Sequence, residues 1–86
     1  MYTFVISEHL DKKLSKLIKK NKFLYEAITK KAEEIILNPH HYKNPRSPMQ
    51  GFKRVHVGTH FVLIFSVDED TKTIILEDYD HHDKIY

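Results

Sequence analysis

The segment FKRVHVGTHFVLIFSV, residues 52–67, decides the fold, because two strands and the turn between them can be read from it. Its first half, FKRVHV, alternates, and successive side chains of a strand point to opposite faces. Arg54 and His56 therefore share one face of the predicted strand, and Lys53 and Val55 share the other. The second half, HFVLIFSV, is apolar on both faces, which is typical of a central strand.

The turn between these two strands leaves two arrangements of the histidines open. Gly58-Thr59 predicts a tight turn. A strict two-residue loop would pair His56 with Phe61 and point the imidazoles of His56 and His60 to opposite faces. A four-residue loop that includes His60 would instead let His60 lean over the same end of the sheet as His56.

Outward from this hairpin, the chain predicts two more strands and two helices. YTFVI at residues 2–6 and TIILEDY at residues 73–79 have strand composition. Apolar residues at helical spacing predict one helix from Ser7 to a break at Asn21, and a second from about Lys22 to Asn38. Pro39 disfavours helical geometry in the residue before it.

The element order is therefore β-α-α-β-β-β, which predicts an α+β fold with a helical hairpin packed on a mostly antiparallel, twisted sheet. Residues 38–50 contain all three prolines and predict a loop, where Lys43 and Arg46 are candidate binding residues. At 86 residues and 10.3 kDa, the chain is expected to be a single domain over residues 1–86.

Composition excludes several classes of protein. The chain has no cysteine, so it contains neither a disulfide nor a thiolate site. The longest apolar run, residues 61–65, is too short to span a bilayer, and the N-terminus has no secretory signal pattern. We therefore expect a cytoplasmic protein that does not associate with membranes.

The formal net charge of +2 conceals an uneven distribution. Residues 46–67 contain Arg46, Lys53 and Arg54 and no acidic residue, whereas residues 68–83 contain seven acidic residues and Lys72 alone. The lysine face of the first helix is, on its own, more typical of a solvated surface than of a binding site. The charge pattern is compatible with a polyanionic partner but does not identify one.

Seven histidines are the most unusual feature of the composition, because imidazole is the side chain that changes charge nearest neutral pH. Histidines beside Arg54 could cleave RNA, with one group taking the proton of the ribose 2′-hydroxyl and another protonating the leaving 5′ oxygen. On residues alone, His56 is better explained as a half-exposed sheet residue than as a functional one. His81-His82-Asp83 lacks the spacing of a metal site, so no metal is predicted.

Two segments resemble a known family. Residues 52–67 resemble the central hairpin of the RelE/ParE toxin superfamily, particularly its YafQ-like branch, and DYDHHDKIY at residues 78–86 resembles its C-terminal strand and tail. The resemblance implies a RelE-like microbial RNase fold. It also implies the toxin of a type II toxin–antitoxin system that cleaves mRNA in the ribosomal A site, without cofactor or metal, by acid–base transesterification.

Residue roles follow from the same resemblance. His82 is expected to be a general acid or base with His56 as its complement, while His60 assists or holds the phosphate. Tyr86 is expected to be the closing aromatic, and Phe61 is expected to be a stacking residue. The expected phosphate contacts are Lys53, Arg54, Arg46 and Lys43. The family pattern has an acidic residue near the position of His60, which leaves the identity of the base open.

The resemblance further implies three partners, namely a cognate antitoxin, the ribosome and mRNA. The chain would be a monomer alone and a hetero-oligomer with its antitoxin. Two other functions remain open for the same fold. One is a ParE-like inhibitor of DNA gyrase, which needs no catalytic residues, and the other is an inactive interaction domain.

Overall fold

The computed structural model describes residues 2–39 and 52–85 and confirms the predicted α+β fold and element order. Its elements are β1 (Thr3–Ile6), α1 (Glu8–Lys20), α2 (Lys22–Leu37), β2 (Lys53–Val57), β3 (Phe61–Asp68), β4 (Thr73–His81) and α3 (His82–Ile85). β4 extends two residues beyond its predicted end, and the tail after it forms the short α3. Most of the predicted loop at residues 38–50 lies outside the described residues.

The two long helices begin and end where the sequence predicts, because side chains cap them. The Ser7 hydroxyl accepts a hydrogen bond from the Leu10 amide at 3.0 Å. The Asn21 amide donates to the Leu17 carbonyl at 2.7 Å, and its side chain accepts from the Leu24 amide at 3.1 Å. Asn21 therefore closes α1 and caps α2, which explains the one-residue connection of the helical hairpin.

The four strands form one sheet in the order β1-β4-β3-β2. β1 is parallel to β4, whereas the β2–β3 and β3–β4 pairings are antiparallel, so the sheet is mostly antiparallel as predicted. The helices cover one face and bury a core with it. That core consists of Leu10, Leu14, Leu17, Leu24, Ile28, Ala32, Ile35, Val57, Leu63, Phe65, Ile74 and Leu76.

A β-bulge in β4 shifts the register beside the hairpin. Ile64 lies opposite Asp78 and Phe65 lies opposite Leu76, which leaves Glu77 as the extra residue. The Ser66 hydroxyl donates to the Glu77 carboxylate at 2.9 Å, and the Ser7 hydroxyl donates to the Glu77 carbonyl at 2.7 Å. Beyond the bulge, each β3 residue therefore meets a β4 partner one position later than an unbroken ladder would give.

No helix within residues 2–39 or 52–85 combines the length and the apolar character needed to cross a membrane.

Candidate active site

The turn between β2 and β3 contains three residues, which is one more than the first predicted arrangement and one fewer than the second. Val57 lies opposite Phe61, and His56 lies opposite Val62, so the two-residue alternative with His56 opposite Phe61 is wrong. Gly58 has φ +64°, a left-handed conformation that glycine adopts without a steric penalty. His60 is the last residue of the turn.

His56 and His82 form a stacked pair at this end of the sheet. Their ring centroids are 5.5 Å apart, and the ring planes differ by 29°. His56 is exposed, and the His82 side chain is 42% exposed, so solvent reaches both rings. The structure thus brings together the two histidines that the family resemblance pairs as acid and base.

His60 stacks on a different histidine. Its ring lies 5.7 Å from that of His81, and the planes differ by only 8°. The His81 and Phe61 rings meet in a T-shaped contact with centroids 5.4 Å apart, and the Phe61 and Tyr79 centroids are 6.2 Å apart. The four rings therefore form a row in the order His60, His81, Phe61 and Tyr79.

His81 was missed as a site residue by the sequence analysis, which considered it only within a metal-like motif. The bulge explains why, since it places His81 opposite Phe61, where an unbroken ladder would place Asp80. Cross-strand partners share a face, so His81 lies on the helix-covered face with Phe61. Among the residues that the structure describes, no group of three metal-ligating side chains is arranged to hold a metal ion.

Backbone hydrogen bonds connect the two histidine pairs. The His82 amide donates to the His60 carbonyl at 2.6 Å, which joins the β2–β3 turn to the first residue of α3. The Asp83 amide donates to Nδ1 of His81 at 3.4 Å. The Asp83 carboxylate also lies 3.7 Å from Nδ1 of each of His81 and His82.

The predicted phosphate contacts separate onto two faces. Arg54 shares the face of His56, two residues away on β2, which is about 7 Å along a strand. Lys53 lies on the opposite face with Val55, which packs against the core. Both basic residues are half-buried, and Phe61 is half-buried at the edge of the core.

Three further candidates, Lys43, Arg46 and Tyr86, lie outside the described residues, and their predicted roles stay predictions.

Two carboxylates lie on β4, two strands away from β2, and a lysine pairs with both. Asp80 and Asp78 lie opposite Val62 and Ile64, the β3 partners of His56 and Arg54. From α1, Lys13 Nζ reaches the Asp78 carboxylate at 2.8 Å and that of Asp80 at 3.7 Å. Lys13 thus offsets the negative charge of these two carboxylates.

Lys13 also holds the open edge of β4. β1 pairs with β4 only as far as Leu76, and beyond that point Lys13 donates to the Tyr79 carbonyl. Its Nζ lies 4.6 Å from the centre of the Tyr79 ring. Burial raises the pKa of the Tyr79 hydroxyl, and the Lys13 charge partly opposes that rise.

Comparison with known proteins decides the family. A family model described as the ParE toxin of the type II toxin–antitoxin system parDE matches residues 5–86. The chain belongs to the RelE/ParE superfamily of type II toxins. This toxin is 57% identical over 86 residues to the putative toxin RelE4 of Methanocaldococcus jannaschii, a match that covers all of the toxin and 92% of that relative.

Solved structures confirm the fold of this toxin. YafQ from Escherichia coli matches with a TM-score of 0.75 at 17% identity, covering 100% of this chain and 99% of that one. A chain of the intact E. coli RelBE toxin–antitoxin complex matches with a TM-score of 0.75 at 18% identity, covering 92% of this chain and 94% of that one.

Proposed function

We propose that this toxin is a ribosome-dependent endoribonuclease that cleaves mRNA, with His56 and His82 as its acid–base pair. The observation that carries the proposal is the stack of these two solvent-accessible imidazoles at 5.5 Å, on the sheet face that also holds Arg54. Imidazole is suited to proton transfer near neutral pH. The kinship with a RelE-named relative supports the same reaction class.

The proposed reaction is a transesterification. One imidazole removes the proton of a ribose 2′-hydroxyl, and the 2′ oxygen attacks the adjacent phosphorus. The bond from phosphorus to the 5′ oxygen breaks as the other imidazole, protonated, donates its proton to that oxygen. The products are a 2′,3′-cyclic phosphate and a 5′-hydroxyl, and Arg54 would stabilise charge that develops on the phosphate.

A row of lysines on α1 supports a polyanionic partner such as the ribosome. Lys12, Lys16, Lys19 and Lys20 are exposed and form no ion pair within residues 2–39 and 52–85. Like charges four residues apart destabilise a helix by about 0.2–0.5 kcal/mol per pair. A phosphate backbone would offset that cost, because RNA binding releases counterions as lysines neutralise phosphates.

The proposal is tested by cleavage of a message on purified, programmed ribosomes, with the cut ends mapped. Wild-type toxin should cut at defined positions, and His82→Ala and His56→Ala should each lose about 10²–10⁴-fold in rate, as expected for loss of an acid–base group. His9→Ala is the matched control, because His9 is an exposed histidine on α1 whose imidazole lies 3.3 Å from the Asp78 carboxylate and outside the His56–His82 stack. Full activity of His82→Ala would remove His82 from the mechanism.

We also propose an antitoxin partner that covers β1 and the groove beside it. β1 is an edge strand with Phe4, Val5 and Ile6 exposed at 44%, 51% and 39%. A groove of about 260 Å³ between β1 and α2 is lined mainly by apolar side chains, including Phe4, Ile6, Tyr25 and Ile28. An exposed apolar edge strand invites strand addition, and the RelBE match is to a toxin–antitoxin complex.

Two phenylalanines offer a matched test of this surface. Phe4 lines the groove, whereas Phe23 is 84% exposed and does not line it. Phe4→Ala should weaken binding of the antitoxin encoded with this toxin, while Phe23→Ala should not. Equal affinities for both variants, measured by titration calorimetry, would place the antitoxin elsewhere.

A second candidate function is inhibition of DNA gyrase, which the ParE description of the matching family favours. Under this alternative, wild type cuts no message on ribosomes but blocks supercoiling by purified gyrase. His82→Ala would then remain as inhibitory as wild type, since an inhibitor that only binds needs no proton transfer.

A further inference from the structure

We propose that His60 and His81 are positioning residues that hold His82 beside His56, rather than groups that touch the RNA. The proposal rests on the proposed function for its catalytic meaning, but the geometry it concerns belongs to the toxin alone. It assigns a role to His81 and gives His60 a role other than direct catalysis.

The bulge in β4 determines where His81 lies. Glu77 is the extra residue, and it brings His81 opposite Phe61 on the helix-covered face. There the His81 ring meets the Phe61 ring in a T-shaped contact, and the His60 ring stacks on His81 almost in parallel. Aromatic pairs in these arrangements attract each other beyond the effect of simple burial.

The position of His82 follows from that of its neighbour. Its amide donates to the His60 carbonyl at 2.6 Å, so the backbone at the start of α3 is attached to the turn. His81, the residue before His82, is held on the helix-covered face of the sheet by its ring contacts. The His82 ring lies against His56, which is on the opposite face. The His60–His81 stack and the His56–His82 stack therefore hold the junction between the β2–β3 turn and α3 from opposite faces of the sheet.

These two stacks, together called the clamp, matter for catalysis because the imidazoles of His56 and His82 are solvent-accessible. An exposed side chain ordinarily exchanges between rotamers in picoseconds to nanoseconds. Acid–base catalysis requires each group within hydrogen-bond reach of its proton, and a displacement of about 1 Å costs about 10²-fold in rate. Loss of the His60–His81 stack should therefore slow the reaction without removing either catalytic group.

The first test is spectroscopic and does not depend on any activity. The nuclear Overhauser effect (NOE) between the His56 and His82 ring protons is measured in wild type, His81→Ala, His60→Ala, His81→Phe and the control His9→Ala. The NOE should be lost in both alanine variants and kept in His81→Phe, which retains a ring against His60 and Phe61. Persistence of the NOE in His81→Ala, or its loss in His81→Phe, overturns the proposal.

The second test is the kinetics of ribosomal cleavage. His81→Ala should lower kcat by about 10²-fold at an unchanged KM, and His81→Phe should restore kcat with the wild-type pH profile. An inactive His81→Phe that retains the NOE would show that the imidazole itself takes part in the chemistry, which overturns the positioning role. If wild type cuts no message, the proposed function fails while the NOE still decides whether the clamp exists.

Discussion

Replacing Lys13 by methionine removes a lysine that joins α1 to the open edge of β4, while it keeps the aliphatic part of the side chain. Lys13 pairs with Asp78 and Asp80, donates to the Tyr79 carbonyl and lies over the Tyr79 ring. The substitution leaves two neighbouring carboxylates without this partner. We therefore expect a loss of stability that an ordinary surface lysine would not show.

The magnitude follows from these contacts. Each partly exposed ion pair contributes about 0.2–1 kcal/mol, and a hydrogen bond from a charged group contributes about 1.5–3 kcal/mol. The side chains of Lys13, Asp78 and Asp80 are 28%, 30% and 34% exposed, so water replaces part of what is lost. The expected loss is about 2 kcal/mol, or about 8–16 °C in Tm for a domain of this size.

The assay is thermal unfolding followed by circular dichroism, with Lys12→Met as the matched control. Lys12 is exposed on the same helix and forms no ion pair with another described residue, so its free energy of unfolding should change by less than about 0.5 kcal/mol. Equal Tm values for the two variants would show that these contacts of Lys13 contribute no net stability.

The same variant makes a prediction about pH. Burial raises the pKa of Tyr79 and Lys13 opposes that rise, so Lys13→Met should move the pKa further upward. Because the pKa of Tyr79 is raised in the folded state, the neutral phenol contributes stability at any pH below the ordinary pKa of tyrosine. This stability is lost as the pH rises through the folded-state pKa. Absorbance titration of the phenol measures the shift, and a downward movement would contradict the assigned role of Lys13.

Three further predictions concern stability, each checked by denaturant unfolding. Ser7→Ala should lower the free energy of unfolding by more than the loss of a helix cap alone, which is about 1 kcal/mol, because Ser7 also holds the bulge at Glu77. A loss no larger than that of Ser15→Ala would refute this. Gly58→Ala should cost about 1–2 kcal/mol from its positive φ alone, since no atom of the described residues, its two chain neighbours aside, lies within 4 Å of the added Cβ; a neutral result would contradict that conformation. Phe65→Ala should cost about 3–5 kcal/mol because Phe65 is fully buried, and a loss below about 1 kcal/mol would place it outside the core.

The sequence was sufficient for the elements and their order, because each signal was local. The helical spacing of Leu10, Leu14 and Leu17 identified a buried stripe, and Asn21 interrupted the pattern where one helix ends and the next begins. The apolar run of β3 indicated a strand covered on both faces. Val62 and Leu63, neighbours on opposite faces, are both fully buried.

The candidate site was only partly predictable, because its geometry depends on pairings between distant segments. His56 and His82 could be paired by family resemblance, and the structure stacks them. The partner of His60 could not be foreseen. It depends on a three-residue turn and on a bulge held by serines at positions 7 and 66, neither of which leaves a signal near His81.

The central claim is that two imidazoles catalyse attack by a ribose 2′-hydroxyl. It is tested most directly by replacing, in a message programmed on ribosomes, the single ribose on the 5′ side of the mapped cut with 2′-deoxyribose. Cleavage should stop at that position, and the unmodified message should yield a 2′,3′-cyclic phosphate and a 5′-hydroxyl. Continued cleavage at the 2′-deoxy position, or fragments that end in a 3′-hydroxyl and a 5′-phosphate, would contradict it.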